Sequence, residues 1–520
     1  MLASKNKTGP VILVSKDLNY IFPSGYGYLA GYLHDRGENI RILLRPEDTN
    51  SYNNLVKKIL DLKPLLVGFG TIYPDLYPTK KIIKLLDDAG RNFPVVIGGQ
   101  MVSPTPEFSV EVTGADIGVI GEGEIILYNL VKALRTGDDL TEVNGLVLNQ
   151  AGHKILTGRG EYIEDLSKLP KIPYELFSAS TDWLNVGKIY LNIPQPHNQY
   201  KDRTITIHGG RGCPFRCNFC YHHSRARYRP IDSMLKEAAE LINKFKANLL
   251  YFDDDLALVT PERALELAEG ISKFPKKIEY SVSARFDILE RISDDILIKM
   301  KKSGLRCVNI GVESGSQRIL DIIHKKITVG QMLDGFKRLK KIGILPNSNI
   351  MVGQLSETNE DAQKSMDLML EALKINKNMN WSFSVATPFP GSELYDICFA
   401  KGIFKSHYDF FNKLNENDSM SGLTANLSEM TDGEVLNWLQ KFKIAFKLER
   451  RKAVGPYVFQ IEKWRTRAGR LNNRLKKRFF EKLPDNAICH VINKSYNFCY
   501  DLMQIGFDEL RLKLLGVKKF

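Results

Sequence analysis

The sequence predicts an α/β protein with an N-terminal doubly wound (Rossmann/flavodoxin-like) domain, a partial (β/α)6 TIM-like barrel and a helical C-terminal region. Three observations predict it. Strand-length apolar runs alternate with amphipathic stretches over residues 11–150; a second alternation begins at 203 and repeats six times; residues 430–520 hold helical patterns without a strand series. Parallel strands need a crossover of a dozen or more residues, usually a helix, so this alternation reads as parallel sheets. A chain of 520 residues also exceeds what one core holds, since single cores stop growing near ~250–300 residues.

In the first unit, "VILVS" (11–15), "NIRILL" (39–44), "LLVGFG" (65–70), "PVVIGG" (94–99) and "IGVIGEG" (117–123) read as buried strands. Helical patterns such as "GYLAGYLHDRG" (27–37) and "YPTKKIIKLLDDAG" (77–90) lie between them, and residues 140–156 read as a short hairpin that closes a domain over 1–156. Residues 157–202, with Pro-rich "LPKIPYELF" and "NIPQPHNQY", read as a linker. The second unit, 203–427, has strand patterns at 204–210, 249–255, 279–285, 307–314, 346–353 and 380–389. Helical patterns follow at 232–246, 260–272, 293–303, 316–324, 329–342 and 358–375. The remaining 428–520 reads as basic helices.

Hydrophobic content of 43% and charged content of 26% are those of a soluble globular protein. No apolar run reaches the ~18–20 residues that span a bilayer, and the N-terminal apolar run is too short for a signal core. Seven cysteines, four of them (Cys307, Cys398, Cys489, Cys499) far apart, do not make a disulfide framework, so a cytoplasmic setting is expected. The net charge of +13 is concentrated in the tail: residues 431–520 hold 20 Lys and Arg against 9 Asp and Glu. Within it, "EKWRTRAGRLNNRLKKRFFEKL" (462–483) places Trp464, Leu471, Leu475, Phe479 and Leu483 near one stripe. That pattern fits a helix packed on the barrel, or one lying on anionic lipid at a membrane surface. Nucleic acid is disfavoured, because no RNA-binding signature accompanies the charge.

The remaining three cysteines crowd into "GCPFRCNFC" (212–220) as C-x-x-x-C-x-x-C. Pro214 and Asn218 favour an irregular loop. Thiolates of Cys213, Cys217 and Cys220 suit three irons of a [4Fe–4S] cube, leaving the fourth iron open. Structural zinc is the alternative, with His222 or His223 as fourth ligand.

Spacing, position after the first strand of the series, and Phe219 before the last Cys resemble the radical SAM superfamily, over residues 203–395. The resemblance implies that the open iron chelates S-adenosylmethionine (SAM), that one electron from the cluster cleaves it, and that a 5′-deoxyadenosyl radical abstracts hydrogen from substrate. It also implies SAM contacts at successive strand ends: Phe219; Asp253, Asp254 and Asp255 of "YFDDD" for the amino group; Ser283 and Arg285 of "SARFD" for the carboxylate; Glu313 of "GVESGS" for the ribose; Met351 or Val352 for adenine. In "IMVGQLSET" (350–358) the chain departs from the family, with Gln354, Leu355 and Ser356 where relatives carry Pro-Gly before Glu-Thr. "TPFPGSELY" (387–395) matches a recurrent loop after the sixth strand.

The first unit's loops, "FPSGYGYLAGYLHDRG", "GFGTIYPD", "VVIGGQMVSPTPE" and "VIGEGE", resemble the cobalamin-binding domain fused to a large class of these enzymes. The implied contacts are Ser24, Gly25, Tyr26, Thr71, Gly98, Gly99, Gln100, Gly121, Glu122 and Gly123. A dinucleotide is the rival ligand, though "PSGYGYLAG" only loosely echoes G-x-G-x-x-G. His34 in "YLHDRG" sits at a helix C-terminus with Tyr32 where D-x-H-x-x-G needs Asp, so it reads as a surface or packing histidine. Together these features imply a cobalamin-dependent radical SAM enzyme whose cofactors are a [4Fe–4S] cluster, SAM and cobalamin. A C-methyltransferase acting on a small molecule or lipid, fed by a flavodoxin- or ferredoxin-type reductant, is the expectation. A non-methylating cyclase or oxidative rearrangement enzyme, and a non-catalytic corrinoid- or zinc-binding regulatory module, are the alternatives.

Overall fold

The computed structural model describes residues 6–15, 22–46, 48–150, 152–177, 203–221, 224–416 and 422–454. The basic segment 462–483, His222 and His223 lie outside the described residues.

The first sheet contains β1 (Val11–Ser15), β2 (Ile40–Leu44), β3 (Leu66–Gly70), β4 (Val95–Gly98), β5 (Ile117–Val119), β6 (Leu146–Gln150) and β7 (His153–Leu156). Their order is β2-β1-β3-β4-β5-β6-β7. β1 to β5 pair in parallel, and the hairpin β6–β7 extends the same sheet antiparallel to β5. Five helices return the chain: α1 (Ser24–His34), α2 (Tyr52–Asp61), α3 (Leu76–Asp88), α4 (Pro106–Thr113) and α5 (Gly123–Thr136). Central β1 is buried throughout, as its unbroken apolar run requires with helices on both faces. Residues 157–177, read as linker, pack instead: Phe22 meets the rings of Tyr174 and Phe177, each at 4.8 Å.

The second sheet is wholly parallel, ordered β15-β14-β13-β12-β11-β8, with β8 (Thr204–Ile207), β11 (Leu249–Phe252), β12 (Glu279–Ala284), β13 (Leu305–Glu313), β14 (Leu345–Val352) and β15 (Asn380–Val385). β8 and β15 are its two edges, so the barrel is partial. The helix Asp432–Val454 packs against β15, stacking Phe442 on Phe383 at 5.7 Å and donating from Trp438 Nε1 to Asn359 at 2.7 Å. One element was not legible in the sequence. β9 (Gly210–Arg211) and β10 (Arg227–Tyr228) form a two-residue antiparallel ribbon, the stem of the loop that carries the three cysteines. No described helix is long and apolar enough to cross a membrane.

Candidate active site

The first sheet changes direction at β1, which lies between β2 and β3. Open α/β sheets bind ligands beyond such a switch point, at the strand C-termini. Tyr26 closes the gap between β1 and β3: its hydroxyl donates to Val14 O at 2.7 Å and accepts from Gly70 N at 2.5 Å. Above it opens a cavity of about 420 Å3 lined by Ser24, Gly25 and Tyr26, then Gly98, Gly99 and Gln100, then Gly121, Glu122 and Gly123. Thr71 is the one anticipated residue that does not line it. Its hydroxyl donates to Gly98 O at 2.9 Å, and its carbonyl lies 2.7 Å from where a Cβ on Gly99 would stand. Thr71 thus shapes the floor from beneath.

The cradle fits a broad ligand. A Cβ on Gly25 or Gly121 would meet nothing within 4 Å, so packing within the chain does not account for either glycine. Gly121 has φ of +90°, which favours glycine, but Gly25 is the second residue of α1, where Ala is preferred. The space it leaves opens on the cavity. His34, at the far end of α1, is exposed and lies off this cavity.

The opposite wall comes from the second unit: His208 after β8, Gly210 and Arg211 of β9, and Asp253 and Asp255 after β11. Behind it lies a second cavity of about 390 Å3, lined by Cys213, Cys217, Phe219 and Cys220 together with Ser283, Arg285 and Glu313. Asp255 lines both cavities and accepts from Gly212 N at 3.0 Å, so the two spaces meet at the root of the cysteine loop.

The loop is held from several sides. Asn218 donates from its backbone to Ile323 O at 3.2 Å and from its side chain to Ile322 O at 3.0 Å. Arg285 lies over the Phe215 ring at 3.6 Å, donates to Asp287 at 3.0 Å and to Lys325 O, and sets Nη1 3.7 Å from Cys217 Sγ. Burial pushes the Cys213 thiol up, and binding a metal there would release its proton. Among the described residues, no three Cys, His, Asp or Glu side chains make a set that could hold a single metal ion. A cube that offers a different iron to each thiolate makes no such demand.

Glu313 ends β13 at a register shift, with φ of +65°. A left-handed glutamate costs of order 1–3 kcal/mol and persists only where surroundings fix it. Here Lys325 Nζ donates to Oε1 at 2.9 Å and Asn349 Nδ2 donates to Oε2 at 2.5 Å. Both charged side chains are buried.

Three anticipated SAM contacts stand elsewhere. Asp254 turns under the chain and accepts from Gly209 N at 2.7 Å and Gly210 N at 3.0 Å; burial raises its pKa to about 7. It supports the start of the cysteine loop and lines neither cavity. Asp253 lines the glycine-cradled cavity rather than the cysteine cavity, and Met351 lines neither. Ser283 reaches the cysteine cavity, but its hydroxyl also bridges Asp254 O and Ala257 N, each at 2.9 Å. The departing loop after β14 is braced in its own way. Gln354 donates to Glu313 O at 3.0 Å and Met351 O at 3.1 Å, while Glu357 accepts from Gly353 N at 2.6 Å.

Sequence reasoning missed the tie between the halves. Arg211 and Arg227 are the paired residues of the β9–β10 stem. Arg211 meets Glu122 at 2.6 Å and Glu124 at 2.5 Å; Arg227 also meets Glu122 and donates to Ile163 O. Thus the stem of the cysteine loop is ion-paired to the loop that forms one side of the glycine cradle. The residues are scattered through the chain, and no local pattern announces their meeting.

Comparison with known proteins agrees with this geometry. The radical SAM superfamily model matches residues 207–369, and the B12 binding domain model matches residues 10–131. An uncharacterized methyltransferase of Pyrococcus horikoshii is 26% identical over 389 residues, covering 73% of this chain and 79% of that protein. The anaerobic magnesium-protoporphyrin IX monomethyl ester cyclase of Rubrivivax gelatinosus is 27% identical over 479 residues, covering 89% of this chain and 80% of the relative. The structure of OxsB, a cobalamin-dependent SAM radical enzyme with aqua-cobalamin and SAM bound, shares the fold. Its TM-score is 0.66 at 16% identity, covering 98% of this chain and 80% of that one. The chain belongs to the radical SAM superfamily, as an enzyme with an N-terminal cobalamin-binding domain.

Proposed function

We propose that the protein is a C-methyltransferase that joins a methyl group to an unactivated carbon of a small molecule. The observation that carries this is the junction at Asp255: a glycine-cradled cavity and a cysteine-lined cavity share a wall. Radical formation and methyl donation must reach one carbon, and adjoining cavities meet that demand. When bound, the cofactors supply the homolytic and methyl-transfer chemistry; the chain supplies orientation and exclusion of water.

In this reading Cys213, Cys217 and Cys220 hold the cluster. Phe219, Asp255, Ser283, Arg285 and Glu313 face SAM, and Arg285 suits its carboxylate through a planar fork of donors. Ser24, Gly25, Tyr26, Gly98, Gly99, Gln100, Gly121, Glu122 and Gly123 cradle cobalamin. Lys325 positions Glu313, and Asp254 and Thr71 position loops. A one-electron reductant completes the reaction. Peripheral contact with anionic lipid through residues 462–483 is supported by their composition alone. Liposome pelleting of the full chain and of a chain lacking 456–520 tests it, and equal pelleting removes it.

Anaerobic reconstitution followed by product mass tests the main reading. Methylation replaces a C–H hydrogen with a methyl group, so the product is heavier than substrate by one CH2. A second reading, ring closure with the same cofactors and no methyl transfer, is favoured by the cyclase relative, which aligns over 89% of the chain. It gives no added methyl.

A further inference from the structure

The barrel side of the corrinoid cavity carries an imidazole without a part in the account so far. His208 follows β8 and lines that cavity beside Gly210 and Arg211. The residue is partly exposed, but its Nε2 is turned inward, shut off from water with no hydrogen-bond partner among the described residues, so the ring must turn to present that nitrogen to the cavity. Native folds leave few buried polar atoms in that state, because an unmade hydrogen bond costs the full desolvation of the group. The ring stands edge-on to Tyr28 at 5.7 Å, and Tyr28 belongs to α1, the helix that presents Ser24 and Gly25 to the same cavity.

The surroundings fix the ring's charge. Burial and the guanidiniums of Arg211 and Arg229 push its pKa down to about 3. Neither arginine awaits an imidazole partner: Arg211 is held by Glu122 and Glu124, and Arg229 by Glu237 at 2.5 Å. His208 is therefore a neutral imidazole near neutral pH, with one N–H and one lone pair. The rim of a corrinoid carries neutral amides, which offer both donors and acceptors. A neutral ring matches them without burying a charge.

We propose that His208 is a corrinoid contact supplied by the barrel, its imidazole exchanging a hydrogen bond with a peripheral amide of the bound corrinoid. The inference rests on cobalamin occupying the glycine-cradled cavity. Because the residue follows the first strand of the second sheet, the contact orients the corrinoid against the barrel.

The test is titration of hydroxocobalamin into the full chain, followed by visible absorbance, with circular dichroism to establish folding. Loss of one hydrogen bond to a buried group corresponds to about a 10-fold change in affinity. His208→Phe should raise Kd by about that factor, and His208→Gln, which keeps a donor and an acceptor, should recover most of it. His34→Gln, at an exposed site off the cavity, should change nothing. The electron paramagnetic resonance spectrum of bound cob(II)alamin should be the same in wild type and His208→Gln. Should His208→Phe fail to fold, His208→Ala serves for the same comparison. Equal affinity in folded wild type and His208→Phe overturns the proposal. Nitrogen splitting present in wild type and lost in His208→Gln also overturns it, by making the ring a cobalt ligand. Failure of wild type to take up hydroxocobalamin instead removes the corrinoid assignment beneath it.

Discussion

Glu122→Gln should loosen the cysteine loop although the residue lies 91 positions before Cys213. Glu122 accepts from both arms of the β9–β10 stem, through Arg211 at 2.6 Å and through Arg227. Side-chain exposures of 16% for Arg211, 7% for Arg227 and 9% for Glu122 mark a pair network largely out of water. Removing one partner of a buried pair costs roughly 3–5 kcal/mol, because the other charge stays buried and uncompensated. Glu124 still pairs with Arg211 at 2.5 Å, so the lower end, about 3 kcal/mol, applies. Stem opening then becomes roughly 150-fold more frequent, at 1.4 kcal/mol per factor of ten. The assay is amide hydrogen exchange of peptides covering 208–229, which reads local opening where a global unfolding curve of a multidomain chain does not. Glu175→Gln is the control: its pair with Lys244 is 3.4 Å long and more than half exposed, worth about 0–1 kcal/mol. Stem exchange in folded Glu122→Gln no faster than in Glu175→Gln would refute the reasoning.

Other perturbations have distinct signatures. Gly25→Ala should stabilise the ligand-free chain by up to ~1 kcal/mol through helix propensity, and Gly25→Leu should cut hydroxocobalamin affinity at least about 10-fold by filling the open space; unchanged binding in Gly25→Leu contradicts the cradle. Lys325→Met leaves the Glu313 carboxylate with Asn349 alone, so SAM affinity in equilibrium dialysis should fall while iron content holds, and Lys325→Arg should restore part of it. Glu357 has its pKa raised to about 7, chiefly by burial. Because that exceeds the unfolded value near ~4.3, its contribution is complete below pH ~4.3 and is lost as pH rises towards 7. Local opening of peptides covering 350–362, read by amide exchange corrected for its intrinsic pH dependence, should therefore become easier over that window by the equivalent of about 3 kcal/mol, and Glu357→Gln should flatten the slope; the same slope in both proteins rejects the assignment.

Much of this architecture was legible because its signals are local. β1 is a short apolar run that follows Gly9 and Pro10, and helices such as Val329–Ile342 begin at a capping box, here Thr328 with Gln331. The cysteine triad and the glycine-rich loops are likewise contiguous patterns. What escaped detection depends on distant parts meeting. Arg211 and Arg227 find Glu122 across the domain boundary, and Lys325 reaches Glu313 across a turn in which His324 and Lys326 have φ of 56° and 52°. Asp254 shows the opposite failure: three consecutive aspartates look equivalent in sequence, yet the pleat and the turn after β11 send Asp253 to one cavity, Asp255 to the junction and Asp254 to backbone amides.

The most direct test is anaerobic reconstitution with iron and sulfide, measuring iron per chain and 5′-deoxyadenosine released from SAM under a strong reductant, in wild type and Cys217→Ala. The account predicts a full [4Fe–4S] complement and deoxyadenosine from wild type, and loss of both in the variant. Zinc at the loop of wild type, or an intact cluster with undiminished SAM cleavage in Cys217→Ala, would contradict it.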